Sequence, residues 1–374
     1  MKSIISNAFG TYKKIYKKNY PWVLVSYLTL PFYLKKIKRY MLAHQNRYGA
    51  LVLFECFKRF NFNYYGIQYN KTNLKINLDK EQVKIVFGIE PNFLRLSNYY
   101  PDSIKIYFAT GAYYKHQNKM IISRTDEVNK KKKANLKYVR MVPEHNSAEI
   151  ADYIFQIGSK YTIETYPSNL RSKIRLVRQG TFDFLKYNEK LKKEKFNDKV
   201  FLWFGGKGAI LKGLDLVLDY FSKNDEYKLH VVGPVEPDFQ KIFEKELFYT
   251  SNIYFHGSLK IHSKKLYEIS LETSFIILPS ASEGGVPGSV LNMMRLGMIP
   301  LVSKYAAFDE IEDYGYLIKD LSVDGIKEVI EKTKRLTSDE LIKIFKKNSE
   351  YAQGYSYNNF YLDVKNELEK IKLN

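Results

Sequence analysis

A single cysteine, Cys56, in 374 residues rules out an internal disulfide framework. It fits a reducing compartment, where a lone thiol behaves as a small buried hydrophobe. No apolar run reaches the ~20 residues that a bilayer-spanning helix requires. The longest, Trp22 to Leu34, is interrupted by Ser26, Thr29 and Pro31 and reads as a buried strand followed by a turn. Lys2 is not followed by an apolar stretch of signal-peptide length, because Asn7, Gly10, Tyr12, Lys13 and Lys14 break it, so secretion is not expected. Acidic residues are scarce relative to basic ones, 40 against 60, leaving a formal charge of +20. Such an excess favours an anionic partner: nucleic acid, a phospholipid surface or a diphosphate-bearing substrate. There is no Asp-x-Asp triplet of the kind that holds a catalytic divalent cation, and no Gly-Lys-Ser/Thr of a P-loop.

With 45% apolar residues the chain can bury two cores of ordinary domain size. In the first half short apolar runs alternate with longer mixed segments: Val23 to Leu28, Val83 to Gly88, Ile104 to Ala109, Tyr153 to Gly158 and Ile174 to Val177. Helices are expected over Ala50 to Arg59 and Tyr113 to Val128. The second half repeats the pattern with Val200 to Phe204, Leu229 to Val232, Ile253 to His256, Phe275 to Leu278 and Ile299 to Val302. Strands alternating with amphipathic helices imply parallel sheets, and so an α/β chain with two Rossmann-like units. The charged stretch Asn188 to Asp198 reads as the linker. The expected division is therefore 1–190, 191–355 and a C-terminal helix, 356–374, returning to the first unit. The lysine run Lys130 to Lys133 reads as a solvated helix end or as an acceptor or membrane contact.

Two glycine-rich turns carry the chemistry. After Phe204 comes Gly205-Gly206-Lys207-Gly208-Ala209-Ile210-Leu211-Lys212-Gly213, then an apolar helix marked by Leu214, Leu218 and Phe221. Glycines let backbone N–H groups approach an anion, and Lys207 and Lys212 add countercharge. The dinucleotide fingerprint fails, since Leu211 stands where its third glycine belongs. After the strand ending at Leu278 comes Pro279-Ser280-Ala281-Ser282-Glu283-Gly284-Gly285-Val286-Pro287-Gly288-Ser289. Glu283 can accept hydrogen bonds from sugar hydroxyls at the carboxyl end of a strand, where open α/β sheets bind ligands. A plain helix start capped by Ser289 is the simpler alternative.

These elements resemble those of the retaining GT-B glycosyltransferases of family 4. That family has a Gly-Arg, four residues, Lys-Gly element; here Gly206-Lys207 and Lys212-Gly213 have its spacing, with lysine for arginine. Ser282-Glu283-Gly284 resembles its Ser/Thr-Glu-Gly turn, and Gly297 with Pro300 the end of the helix that follows. Asn292 stands where the family's second glutamate grips the nucleotide ribose. The resemblance is strongest from about Lys199 to Gly315, while 104–118 and 148–165 look like a polysaccharide-synthesis subgroup. It implies a GT-B fold, two Rossmann-like domains facing each other across a cleft, and a metal-independent, retaining sugar transfer from a nucleotide-sugar donor to a glycan or lipid-linked acceptor in cell-surface polysaccharide synthesis, with no cofactor. Glu283, Lys212 and Lys207 are the expected catalytic residues, and Gly206, Gly208, Gly284, Gly285, Ser289 and Asn292 the donor-binding ones. Thr110, Gly111 and His116 are the acceptor-side candidates, with His145 beside Glu144 a weaker one.

The expected location is the cytoplasm, at the inner face of a membrane. Between Ile4 and Trp22 the chain mixes Ile5, Phe9, Ile15 and Tyr16 with Lys13, Lys14, Lys17 and Lys18, a combination suited to an anionic surface. Asn292 also admits a catalytically silent scaffold that binds membrane or polysaccharide. The charge and the 32 tyrosines admit a nucleic-acid binder, but no recognised motif accompanies them.

Overall fold

A computed structural model describes residues 9–371. The first sheet has seven strands: β1 (Thr11–Lys14), β2 (Trp22–Tyr27), β3 (Asn63–Gln68), β4 (Val83–Gly88), β5 (Ile104–Ala109), β6 (Tyr153–Ile157) and β7 (Ile174–Val177). Their order is β1-β3-β2-β4-β5-β6-β7, and β1 alone runs antiparallel. The second sheet holds β8 (Asn197–Phe204), β9 (Lys228–Val232), β10 (Ile253–Phe255), β11 (Thr273–Leu278), β12 (Ile299–Ser303) and β13 (Tyr316–Ile318). All are parallel, in the order β10-β9-β8-β11-β12-β13.

Successive strand residues point to opposite faces, so a parallel sheet covered on both sides must be apolar throughout. Accordingly Val23, Val25, Phe87, Phe108 and Phe155 bury one face of the first sheet against the helices Asn46–Arg59 and Tyr357–Lys370. Leu24, Val86, Tyr107 and Ile154 bury the other against Phe93 and Leu96 of the helix Asn92–Tyr99. In the second sheet Phe201, Trp203, Phe275 and Ile277 are fully buried. The helix Leu214–Phe221 beside them is buried at every position.

The charged stretch proposed as linker is no linker. Asn188 caps a helix, Glu189–Lys195, by accepting from the Leu191 N–H, and β8 begins at Asn197. The chain crosses between units upstream of it: β7 ends at Val177, whereas Phe182 and Leu185 already lie in the core of the second unit. Within that helix Lys192 is fully buried, its amine donating to the carbonyls of Ser270 (2.7 Å) and Thr273. Burial pushes this amine down to about 7. The chain crosses back beside the first crossing, where the Thr181 N–H donates to the Tyr355 carbonyl at 2.8 Å. The helix Tyr357–Lys370 then packs on Asn46–Arg59 and on β7.

The Lys130–Lys133 run is not simply solvated. The helix Tyr114–Lys132 of the first unit lies against the second, with Lys131 bonded to Asp219 at 2.6 Å and Lys132 to Glu246 at 2.9 Å. Two turns earlier Arg124 meets Asp215 at 2.6 Å, both side chains almost wholly buried. Near the N-terminus, Ile4 and Ile5 lie outside the described residues. Lys13 and Lys14 belong to the edge strand β1, and Lys13 lies over the Trp22 ring at 4.8 Å.

Candidate active site

In the second sheet, connections leave β8 in one direction and β11 in the other, so these neighbours form the topological switch point where an open α/β sheet leaves a crevice for ligand. The turn 205–213 follows β8 and the turn 279–287 follows β11, so both motifs open onto that crevice. They are tied together, the Ala281 N–H donating to the Leu211 carbonyl at 2.8 Å, and the first turn is held to β8 by the Trp203 indole N–H donating to the Lys212 carbonyl at 3.0 Å. Gly213, with φ +69°, makes the sharp bend into the helix, and a Cβ there would lie 2.6 Å from the Pro279 ring.

Lys212 and Glu283 form an ion pair, with 8% and 12% of their side chains exposed. The same Glu283 oxygen accepts the Ser280 hydroxyl at 2.6 Å, and the Glu283 N–H donates to the Tyr305 carbonyl at 2.9 Å. Desolvation pushes the Lys212 amine down, Glu283 opposes that, and the nearby Arg140 guanidinium adds to it. A charge pair held out of water in this way is a strong local field for polar ligand atoms.

The first domain closes on this turn. Thr110 and Gly111 follow β5, and the backbone of Gly111 lies against Gly284. Gly285 lies similarly close to Gly158. The Thr162 hydroxyl donates to the Gly284 carbonyl, and the Gln179 amide to that of Val286. Asp309 of the second domain accepts from the Lys160 N–H at 2.7 Å. Thr110 is exposed. His116 stands beside Tyr161 (Nε2 to hydroxyl 3.3 Å), and Tyr161 beside Tyr305, ring centroids 5.8 Å apart. Desolvation and Lys119 push His116 down, keeping its ring neutral at neutral pH.

The structure thus assembles Lys212, Glu283, Thr110, Gly111 and His116 at one cleft, but it reassigns several donor-site expectations. Gly208 does not offer a free N–H: the Glu236 carboxylate accepts from Gly208 at 2.6 Å and from Ala209 at 3.0 Å, filling the anion cradle. Gly284 is buried in close backbone approach between the domains, whereas Gly285, close to Gly158, also lines a cavity with Ser159, Arg178 and Asp309. Asn292 is 4% exposed and its Oδ1 accepts from the Phe182 N–H at 3.3 Å, so it satisfies a donor of the crossing segment instead of facing a ribose. Ser289 caps nothing; Pro287 is the cap residue of the helix Gly288–Met294, without a side-chain bond. Gly206 and Lys207 are exposed at the rim. His145 lies instead near Glu90, 3.6 Å away, under the Tyr107 and Tyr114 rings. Tyr161, Tyr305, Glu236 and Arg140 escaped sequence reasoning, because isolated residues outside a motif carry no spacing signal. Among the described residues no cluster of three or more His, Cys, Asp or Glu side chains is arranged to hold a metal ion.

Residues 198–339 match the family model described as glycosyl transferases group 1. An uncharacterized glycosyltransferase of Methanocaldococcus jannaschii is 30% identical over 177 residues, 45% of this chain. The matched region spans 43% of that relative's length. Among solved structures, sucrose-phosphate synthase from Thermosynechococcus elongatus superposes with a TM-score of 0.61 at 11% identity, covering 94% of this chain and 99% of that one. Anabaena HepE in complex with UDP superposes with a TM-score of 0.59 at 9% identity, covering 94% and 100%. These likenesses establish the GT-B fold, two Rossmann-like domains facing each other across a cleft.

Proposed function

We propose that this protein is a glycosyltransferase that moves a sugar from a nucleotide-sugar donor to a glycan or lipid-linked acceptor in cell-surface polysaccharide synthesis. The observation that carries the reading is the Lys212–Glu283 pair at the switch point of the second sheet, facing Gly111 and His116 across the cleft. The family match over 198–339 spans both of its turns. UDP in the complex with Anabaena HepE supports a nucleoside diphosphate as leaving group.

In this reading the bond between the anomeric carbon and the β-phosphate oxygen breaks while the acceptor oxygen bonds to the same carbon on the same face. The acceptor proton passes to the departing phosphate oxygen. Lys212 and Lys207 stabilise the charge that grows on the diphosphate, so the step needs no divalent cation. Glu283, held by Ser280 and Lys212, receives hydroxyls of the transferred sugar. His116, Tyr161 and Tyr305 line the acceptor side with a neutral imidazole and two aromatic rings.

The acceptor meets the enzyme at the cytoplasmic face of a membrane. Among the described residues no helix is long and apolar enough to cross one. Ile15, 54% exposed beside Lys13, Lys14, Lys17 and Lys18, suits a peripheral contact with anionic lipid. A thermal-shift screen of nucleoside diphosphates and nucleotide sugars in the presence of EDTA tests the reading. Stabilisation of several degrees by one nucleotide series supports it; no response to any of them, or one only after Mg²⁺ is restored, contradicts it.

A further inference from the structure

We infer that Arg140, supplied by the first domain, is a diphosphate ligand of the donor site, so that the leaving group is gripped from both sides of the cleft. The inference rests on the nucleotide-sugar reading and adds a residue that neither turn contains.

The charge at the site requires another cation. Lys212 is compensated by Glu283, and the Gly208 and Ala209 N–H groups are already taken by a second carboxylate, Glu236. One buried lysine, exposed Lys207 and two carboxylates sum to zero, which does not attract a nucleoside diphosphate carrying two or more negative charges. Adding Arg140 brings the site to +1. Arg140 forms no ion pair among the described residues, unlike Arg124 and Arg178, which are bonded to carboxylates.

Its placement is held from several sides. Arg140 is exposed, has φ +71°, and packs its aliphatic stem on the glycine-rich turn, where a Cβ on Gly208 would lie 3.0 Å from its Cδ. Its guanidinium lies 3.5 Å from the Lys207 carbonyl. The Gln117 amide donates to the Arg140 carbonyl at 3.1 Å, and Asn118 holds Val142 by two bonds, of 2.8 and 2.9 Å. A positive φ in a non-glycine residue costs free energy that these contacts offset. Gln117 in turn flanks Gly111, which touches Gly284 next to Glu283. One short path of contacts therefore joins Arg140 to the catalytic turn. The guanidinium is close enough to Lys212 to push that amine down. A diphosphate between them relieves the repulsion, and a fork of N–H donors suits its oxygens.

Isothermal titration with UDP, ADP and GDP, followed by the parent nucleoside of the tightest, tests this on wild type, Arg140→Gln, Arg140→Lys and Lys212→Gln. We expect Arg140→Gln to weaken diphosphate binding at least about tenfold and to reduce its salt dependence, Arg140→Lys to restore part of the affinity, and nucleoside binding to be unchanged in both. Equal diphosphate affinity in wild type and Arg140→Gln, with Lys212→Gln impaired, overturns the Arg140 assignment and leaves the donor reading standing. Equal losses for nucleoside and diphosphate in Arg140→Gln mark a structural residue and also overturn it. If none of the three diphosphates binds the wild type, the donor reading falls and the assignment with it.

Discussion

Gly284 and Gly111, from opposite domains, are packed backbone to backbone: a Cβ on Gly284 would lie 2.7 Å from the Gly111 Cα and 2.9 Å from its nitrogen. Neither backbone can yield without moving a domain, so the absent side chain sets how far the cleft closes. We predict that Gly284→Ala leaves each domain folded but holds the two apart. Small-angle scattering should show a larger radius of gyration with unchanged circular dichroism, and transfer should fall by more than ~100-fold, since a misplacement of about 1 Å costs that much. Wild-type dimensions and turnover would show that the contact is incidental.

The Glu283 carboxylate is expected to act on the transferred sugar rather than on folding. Glu283→Ala should lower transfer by more than ~100-fold through loss of contacts strengthened in the transition state. Because it also frees Lys212, which then faces the diphosphate unpaired, affinity for the nucleoside diphosphate should hold or rise. Lys212→Ala should instead weaken it by at least ~1.5 kcal/mol. Calorimetry that finds the two variants equally impaired in diphosphate binding would refute this division of roles.

Arg124 and Asp215 join the domains through a pair in which both side chains are about 95% buried. Burial pushes the Asp215 carboxyl up, to about 6, against the pull of Arg124. Removing the arginine alone strands a buried carboxylate, a loss of roughly 3 kcal/mol, whereas replacing both partners by apolar residues of similar volume is close to neutral. Chemical denaturation of Arg124→Met, Asp215→Leu and the double variant should show both singles destabilised and the double largely recovered. Additive losses would mean that the pair is not the coupling element.

Lys192 offers a pH signature. An amine at about 7 in the fold and near 10.5 unfolded binds a proton in the unfolded state alone between those values. Stability contributed by this residue therefore rises with pH from about 7 to about 10 and is lost as pH falls toward 7, by roughly 1.4 kcal/mol per pH unit at most. A neutral amine has two N–H groups, matching its two carbonyl acceptors. Lys192→Met should flatten the denaturation profile between pH 7 and 9; parallel profiles would mean that the buried amine stays charged.

The sheets were largely legible. Val83–Gly88, Ile104–Ala109 and Ile174–Val177 coincide with their apolar runs, and the second-sheet strands differ from theirs by a few residues at the ends. The strands that escaped lack the apolar run that marks the others. β1 is half lysine, β3 reads Asn-Tyr-Tyr-Gly-Ile-Gln without an apolar run, and β13 has three residues. Asn188 to Asp198 reads as linker because it is charged and poor in apolar residues, yet Lys192 is buried where carbonyls at the end of the helix Lys264–Glu272 accept from it. At the site, spacing located Lys212 and Glu283, since each follows a strand in a glycine-rich turn. Spacing could not show that they pair, that Glu236 fills the Gly208 cradle, or that Asn292 turns to Phe182, because those relations depend on how distant loops meet.

The most direct test of the account is the reaction itself. The purified protein is incubated in EDTA with the nucleotide sugar that stabilises it most, with and without a lipid-linked or oligosaccharide acceptor, and products are followed by mass spectrometry. The account predicts release of the nucleoside diphosphate together with a glycosylated acceptor or free sugar, lost in Glu283→Ala. Intact donor after prolonged incubation with every nucleotide sugar that binds, or turnover equal in wild type and Glu283→Ala, would contradict it.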